Sequence, residues 1–224
     1  MNLLLAAMAP VIAIIVYINC KDEYEKEPRR LLLYNFLLGA IVSVLIATIL
    51  YYGTDVFITL NNEYSVAQQF FKAFLVVAVI EEFSKYIIVR YFAQPHKEFN
   101  EPYDGIIYAV MVSMGFAATE NIMYVIEGGY QVAILRAFTA VPAHATFGVL
   151  MGYFMGKAKF AKNRSKYNLL GLFLAVLFHG SYDFFLFIDF IPGIWVGAFI
   201  SLFLGMYLSI KAIKTHQKNS FFKV

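Results

Sequence analysis

Apolar runs long enough to cross a bilayer follow one another along almost the whole chain, at about 3–19, 31–52, 68–92, 104–126, 134–156, 167–188 and 192–210. A hydrocarbon core of ~30 Å takes about 20 helical residues to cross. Lipid satisfies no backbone polar group, so each run has to be helical. The expected fold is therefore all-α, a polytopic transmembrane bundle of about seven helices. Hydrophobic residues make up 61% of the 224 and the mean hydropathy is +0.67, more apolar surface than one soluble core of this length can hide. With no tandem repeat, low-complexity tract or long linker, residues 1–224 read as a single integral membrane domain.

The first run lacks a basic n-region and leads into Lys21-Asp22-Glu23 rather than a small-residue cleavage site, so it reads as a retained helix and not a signal peptide. Cys20, the only cysteine, follows Ile18-Asn19 instead of a lipobox, and by itself it excludes an intrachain disulfide. Lys and Arg set the orientation, because short loops rich in them stay cytoplasmic. Lys21, Lys26, Arg29 and Arg30 crowd the first connection, Arg90 and Lys97 flank the third, Lys157 to Lys166 crowd the fifth, and the tail carries Lys211, Lys214, Lys218 and Lys223. The second and sixth connections, near Asp55 and Asp189, have none, and the fourth has only Arg136 at its edge. Seven spans with the N-terminus outside and the C-terminus in the cytoplasm put every basic cluster on one side. The net charge of +3 then reflects anchoring to anionic lipid at helix ends and calls for no nucleic-acid partner.

An ionisable side chain near the bilayer centre costs ~2.5–3.5 kcal/mol on insertion scales, so its presence needs a reason. Four of the runs carry such residues. The third holds Glu81-Glu82-Phe-Ser-Lys85, with Lys85 one helical turn from both carboxylates; a structural ion pair accounts for one Glu and leaves the other over. The fourth holds Glu120-Asn121, where Asn121 alone is ordinary interhelical glue and Glu120 belongs either to a site or to Arg136. The fifth has His144 about halfway along, followed by Gly148, Gly152 and Gly156 on one face, a ladder that lets another helix approach closely. The sixth offers His179 and Asp183 at i and i+4, spacing suited to shared catalysis, metal ligation or fixing a ring tautomer. Counted from span centres, Glu81, Glu82, His144 and His179 lie within a turn or so of one plane, with Glu120 and Asp183 stepping outward. Asp104, after Glu101-Pro102-Tyr103, reads as a helix N-cap.

Two carboxylates and two histidines in an apolar bundle suit hydrolysis by an activated water, with Glu as base and His as donor or ligand. His-Glu-x-x-His, paired-aspartate Gly-x-Gly-Asp and Gly-x-Ser-x-Gly signatures are absent. The rival reading is a proton-coupled transporter using the same groups as a relay; against it, the runs show no inverted repeat or paired broken segments.

Several ordered motifs, Glu81-Glu82-Phe-Ser-Lys85, Tyr103-Asp104-Gly105, Gly115-Phe-Ala-Ala-Thr-Glu120-Asn121, His144 before the glycine ladder and His179-Gly-Ser-Tyr-Asp183, resemble the PrsW-type bacterial intramembrane proteases, relatives of type II CAAX prenyl endopeptidases and bacteriocin-processing enzymes. The resemblance spans most of the chain. It implies a bacterial plasma-membrane protease whose partner is a membrane-anchored anti-sigma factor, cut first on its extracytoplasmic side so that a later cleavage releases a stress-response sigma factor. By the same resemblance Glu81 is the water-activating base, Glu82 supports it, and His144 and His179 complete the site, with Lys85, Glu120 and Asn121 in support. The CAAX relatives carry Asn four residues after the last His, where this chain has Asp183. An ionised Asp cannot donate to an oxyanion; Asp183 instead orients His179, stays protonated, or joins His144 and His179 as ligands of a divalent metal such as zinc, which leaves metal dependence open.

Overall fold

The structure is a computed structural model, and it describes residues 2–223. Among these there are helices and turns and no strand. The path is α1 (Leu3–Cys20), α2 (Arg29–Phe57), α3 (66–93), α4 (Pro102–Phe138), α5 (Ala140–Phe160), α6 (Arg164–Phe187) and α7 (Val196–Lys218). Five segments are long and apolar enough to cross a membrane, with Pro102–Phe160 counting as one of them. That segment is broken at Gly129 (φ 69°, ψ −158°), and α4 and α5 pack against each other. The α3 rod is not among the five; Glu81, Glu82 and Lys85 interrupt its apolar run.

The core is α4. From Tyr103 to Ala118 every residue is buried, the pattern of a helix apolar on all sides and enclosed by others. The glycine ladder of α5 faces it antiparallel. A Cβ at Gly152 would stand 2.7 Å from Ile106 Cα, and one at Gly148 2.9 Å from Ser113 Cβ, so these two helices meet backbone to backbone. Large apolar side chains of the outer helices, among them Leu5, Ile49, Phe57 and Phe203, are exposed. Such surface is compatible with lipid and not with water.

Two local features differ from the sequence reading. Glu101, not Asp104, is the N-cap of α4; Asp104 occupies the third helical position and accepts from Glu101 N at 2.8 Å and Asn100 N at 2.6 Å, closing a capping box. The expected connection at 127–133 is a sharp break at Gly129, after which the chain stays helical to Phe138 and folds back. Glycine is needed there because φ is positive. The returning segment is apolar, and its Arg136 is held by Asn121 Oδ1 at 2.8 Å and Glu120 Oε2 at 3.0 Å.

The basic connections gather at one end of the bundle. There Tyr103 Oη donates to Ile18 O (3.0 Å), Gln217 Nε2 to Glu23 Oε1 (2.9 Å), and Lys159 Nζ to His96 O (3.3 Å). Asp22, in the first connection, is buried, and burial pushes its carboxyl up to about 6 despite Lys26 nearby.

Irregular helix winding positions the acidic residues. A π-helical stretch, Lys72–Ala78, precedes Glu81 and Glu82, and another, Val89–Ala93, follows them. A third, Leu38–Ser43, lies in α2, where Ser43 Oγ meets Ser84 Oγ at 2.7 Å. Such turns concentrate at functional sites because they change which face of a helix points inward.

Candidate active site

Four helices bring the charged residues together. Glu82 on α3 is fully buried; its Oε1 accepts from Lys85 Nζ at 2.7 Å and from His179 Nδ1 at 2.8 Å, the second bond crossing to α6. Glu81, one residue earlier, points elsewhere: Oε2 lies 3.5 Å from Lys85 Nζ and 4.0 Å from His179 Nε2, and Oε1 accepts from the Tyr51 hydroxyl of α2 at 3.1 Å. Lys85 Nζ rests 4.3 Å from the centre of the Phe116 ring. One ammonium therefore serves both carboxylates. The shared partner supplies the counter-charge that two adjacent acids in an apolar interior require.

His144, on α5, sits between α3 and α4. Its Nδ1 is 3.2 Å from Lys85 Nζ and its Nε2 is 2.7 Å from Glu120 Oε2. An ammonium can only donate, so Nδ1 is the acceptor and Nε2 carries the proton given to Glu120. Glu120 thus belongs both to the site and to Arg136, the two alternatives that its position in the sequence left open. On α6, both ring nitrogens of His179 face carboxylate oxygens, Nδ1 that of Glu82 and Nε2 that of Asp183 at 3.3 Å. Phe147 stacks on this imidazole at 4.7 Å, and the two histidine rings meet edge to face at 5.5 Å. Asn121 stands apart from the cluster, donating to Ala7 O at 2.7 Å and so tying α4 to α1.

A cavity of about 790 Å³ adjoins the cluster. Glu81, Glu120, His144, His179 and Asp183 line it, whereas Glu82 and Lys85 do not. Its walls run out to Lys72, Glu127 and Phe187, on the side of the bundle remote from the basic connections. Tyr51 also lines it. No sequence signal singles Tyr51 out, because Tyr51-Tyr52 near the end of an apolar run reads as an interfacial aromatic pair.

The donor set suits a divalent metal. Glu81, Glu82, His144 and His179 each offer one ligand atom, all within 4.8 Å of one another. One oxygen of each glutamate is buried without a hydrogen-bond partner. Imidazole and carboxylate in this number are the ligands of zinc and related ions. Asp183 lies outside that group of four and contacts it through His179.

The family model described as PrsW family intramembrane metalloprotease matches residues 27–212. The chain belongs to the PrsW family. Protease PrsW of Geobacillus kaustophilus is 40% identical over 97% of this chain and 94% of its own length. Protease PrsW of Bacillus subtilis is 40% identical over 81% of each chain, and that of Clostridioides difficile 33% identical over 85% of this chain and 81% of its own. No solved structure matches the chain. As a PrsW-family protein it is a membrane-embedded protease, a hydrolase acting on protein, and the transporter reading falls away.

Proposed function

We propose that this PrsW-family chain is a single-domain endopeptidase of the bacterial plasma membrane that makes the first cut in a membrane-anchored anti-sigma factor, on its extracytoplasmic side, with Glu81 as the water-activating base. The observation that carries this reading is the division of labour between adjacent carboxylates. Glu81 borders the cavity, while Glu82 is sealed behind it and spends one oxygen on Lys85 and His179.

In the proposed reaction a substrate segment enters from the cavity mouth, away from the basic and therefore cytoplasmic end. Glu81 accepts a proton from water as the water oxygen bonds to the scissile carbonyl carbon, whose π electrons move to its oxygen. The protonated Glu81 then delivers that proton to the leaving amine as the C–N bond breaks. Glu82 fixes the orientation of His179, Glu120 fixes the tautomer of His144, and Asp183 braces His179 from the other side. Glu82, His144 and His179 would hold a divalent metal, with Glu81 beside it left free as the base. Such an ion polarises a carbonyl and acidifies bound water.

The test is proteolysis of a candidate anti-sigma factor by purified protein in detergent, with Glu81→Ala and a chelator-treated, metal-restored sample alongside. Cleavage by wild type and none by Glu81→Ala at unchanged thermal stability is expected. Equal cleavage by both refutes the role given to Glu81.

A further inference from the structure

A base that generates an oxyanion needs a hydrogen-bond donor within reach of the same carbonyl. In this bundle the residue four after His179 is Asp183, an acceptor when ionised, so the donor has to come from elsewhere. Three donors reach the Glu81 carboxylate: Tyr51 Oη at 3.1 Å, Lys85 Nζ at 3.5 Å and His179 Nε2 at 4.0 Å. Lys85 is committed to Glu82 at 2.7 Å and His144 at 3.2 Å and does not line the cavity. Both nitrogens of His179 already face Glu82 and Asp183. Tyr51 remains. Its hydroxyl is neutral, it lines the cavity, and its one hydrogen bond is to the base itself.

We propose that the Tyr51 phenol is the donor that stabilises the oxyanion formed on the scissile carbonyl. The inference rests on the assignment of Glu81 as base. Before reaction the phenol donates to Glu81 Oε1 and steadies the carboxylate. When Glu81 takes the proton from water its oxygens lose negative charge, at the moment when charge develops on the substrate oxygen. The O–H then turns from the weakened acceptor to the stronger one. No proton leaves the phenol: the water proton goes to Glu81 and on to the leaving amine, and Tyr51 contributes only a hydrogen bond that strengthens in the transition state. Tyr51 lies on α2, thirty residues before Glu81, so the second helix is part of the active site and not only its enclosure.

Tyr51→Phe keeps the ring, which packs with Ala47, Val76, Ile80 and Phe116, and removes only the hydroxyl. The assay uses the quenched transmembrane peptide that wild type cleaves fastest from a library, together with a phosphinic analogue of that peptide whose tetrahedral oxygen mimics the oxyanion. The expected result is a kcat lower by about 10²-fold, the loss typical of one oxyanion donor, with KM and thermal midpoint unchanged and phosphinate affinity weakened by the same factor. A wild-type kcat in Tyr51→Phe overturns the inference. So does a lower kcat with undiminished phosphinate affinity, because the phenol would then act only by holding Glu81. A Glu81→Gln arm separates the two levels: full activity there refutes the assignment of the base, whereas an inactive Glu81→Gln beside a fully active Tyr51→Phe refutes the role of Tyr51 alone. Failure of wild type to cleave any peptide overturns both.

Discussion

Replacing Gly152 by alanine tests whether the backbone contact between α4 and α5 sets the geometry of the site. A Cβ at 152 would stand 2.7 Å from Ile106 Cα and 2.8 Å from the Gly105 carbonyl carbon. Carbon atoms settle at about 3.5–4.0 Å, and backbone cannot rotate aside as a side chain can, so the helices separate locally by roughly 1 Å. Overpacking of this kind costs about 1–3 kcal/mol, which for a chain of this size lowers the thermal midpoint by about 2–12 °C. His144 lies two helical turns away on the same helix, and its Glu120 partner is on α4. A misplacement of ~1 Å at a reacting group costs up to about 10²-fold in rate. The expected outcome is cleavage of a liposome-reconstituted reporter slowed by about 10- to 100-fold, with a lower midpoint in scanning fluorimetry. Gly53→Ala is the control, because a Cβ there meets nothing within 4 Å. Wild-type rate and midpoint in Gly152→Ala would refute the reasoning and show that the helices have slack.

Glu82→Gln should abolish cleavage and also lower the midpoint, since Glu82 holds Lys85 and His179 together; loss of activity without loss of stability would place Glu82 in the chemistry instead. Lys85→Met leaves two buried carboxylates without their ammonium and should destabilise the protein by about 3–5 kcal/mol, read as a fall in midpoint; a stable variant would mean that another cation serves the pair. Burial raises Asp22 from 3.8 to about 6, so the folded state binds the extra proton and stability falls as pH rises from about 4 to about 6. Asp22→Asn should therefore raise the midpoint at pH 7 and leave it unchanged near pH 4, and an equal effect at both would refute the assignment. A reporter fused near Asn61 should be extracytoplasmic and one after Lys162 cytoplasmic; a cytoplasmic Asn61 fusion would reverse the side on which cleavage is expected.

The charged part of the site was legible because charge in lipid is costly. Glu81, Glu82, His144 and His179 stand out of apolar runs, and counting from span centres places them at one depth. What counting cannot supply is rotation. Which of two adjacent glutamates borders the cavity depends on helix winding through 72–78, and nothing in Lys-Ala-Phe-Leu-Val-Val-Ala announces a π turn. Tyr51 was hidden for another reason: a tyrosine near a membrane interface costs little, so its presence demands no explanation. The fold-back after Gly129 escaped because the segment to Phe138 is apolar enough to pass for the start of a span. Asp104 was placed near the right helix end but in the wrong role, as Asp serves both as N-cap and in the first turn.

The π-helical stretch before Glu81 has a consequence for how such a chain can change over evolutionary time. Each such turn accommodates an extra residue within a helix that continues on either side. Deleting one residue between 72 and 78 would let the winding relapse to the regular form with the turns on either side keeping their faces, whereas the same deletion in regular helix swings everything after it by about 100°. The lipid-facing side of α3 could exchange one apolar residue for another freely, yet a single-codon deletion in the regular turns between Val79 and Lys85 would carry the residues on either side of it out of register with His144 and His179. Natural variation in α3 should therefore keep constant length through the regular turns, with single-residue gains and losses confined to the π-helical stretch and the loops.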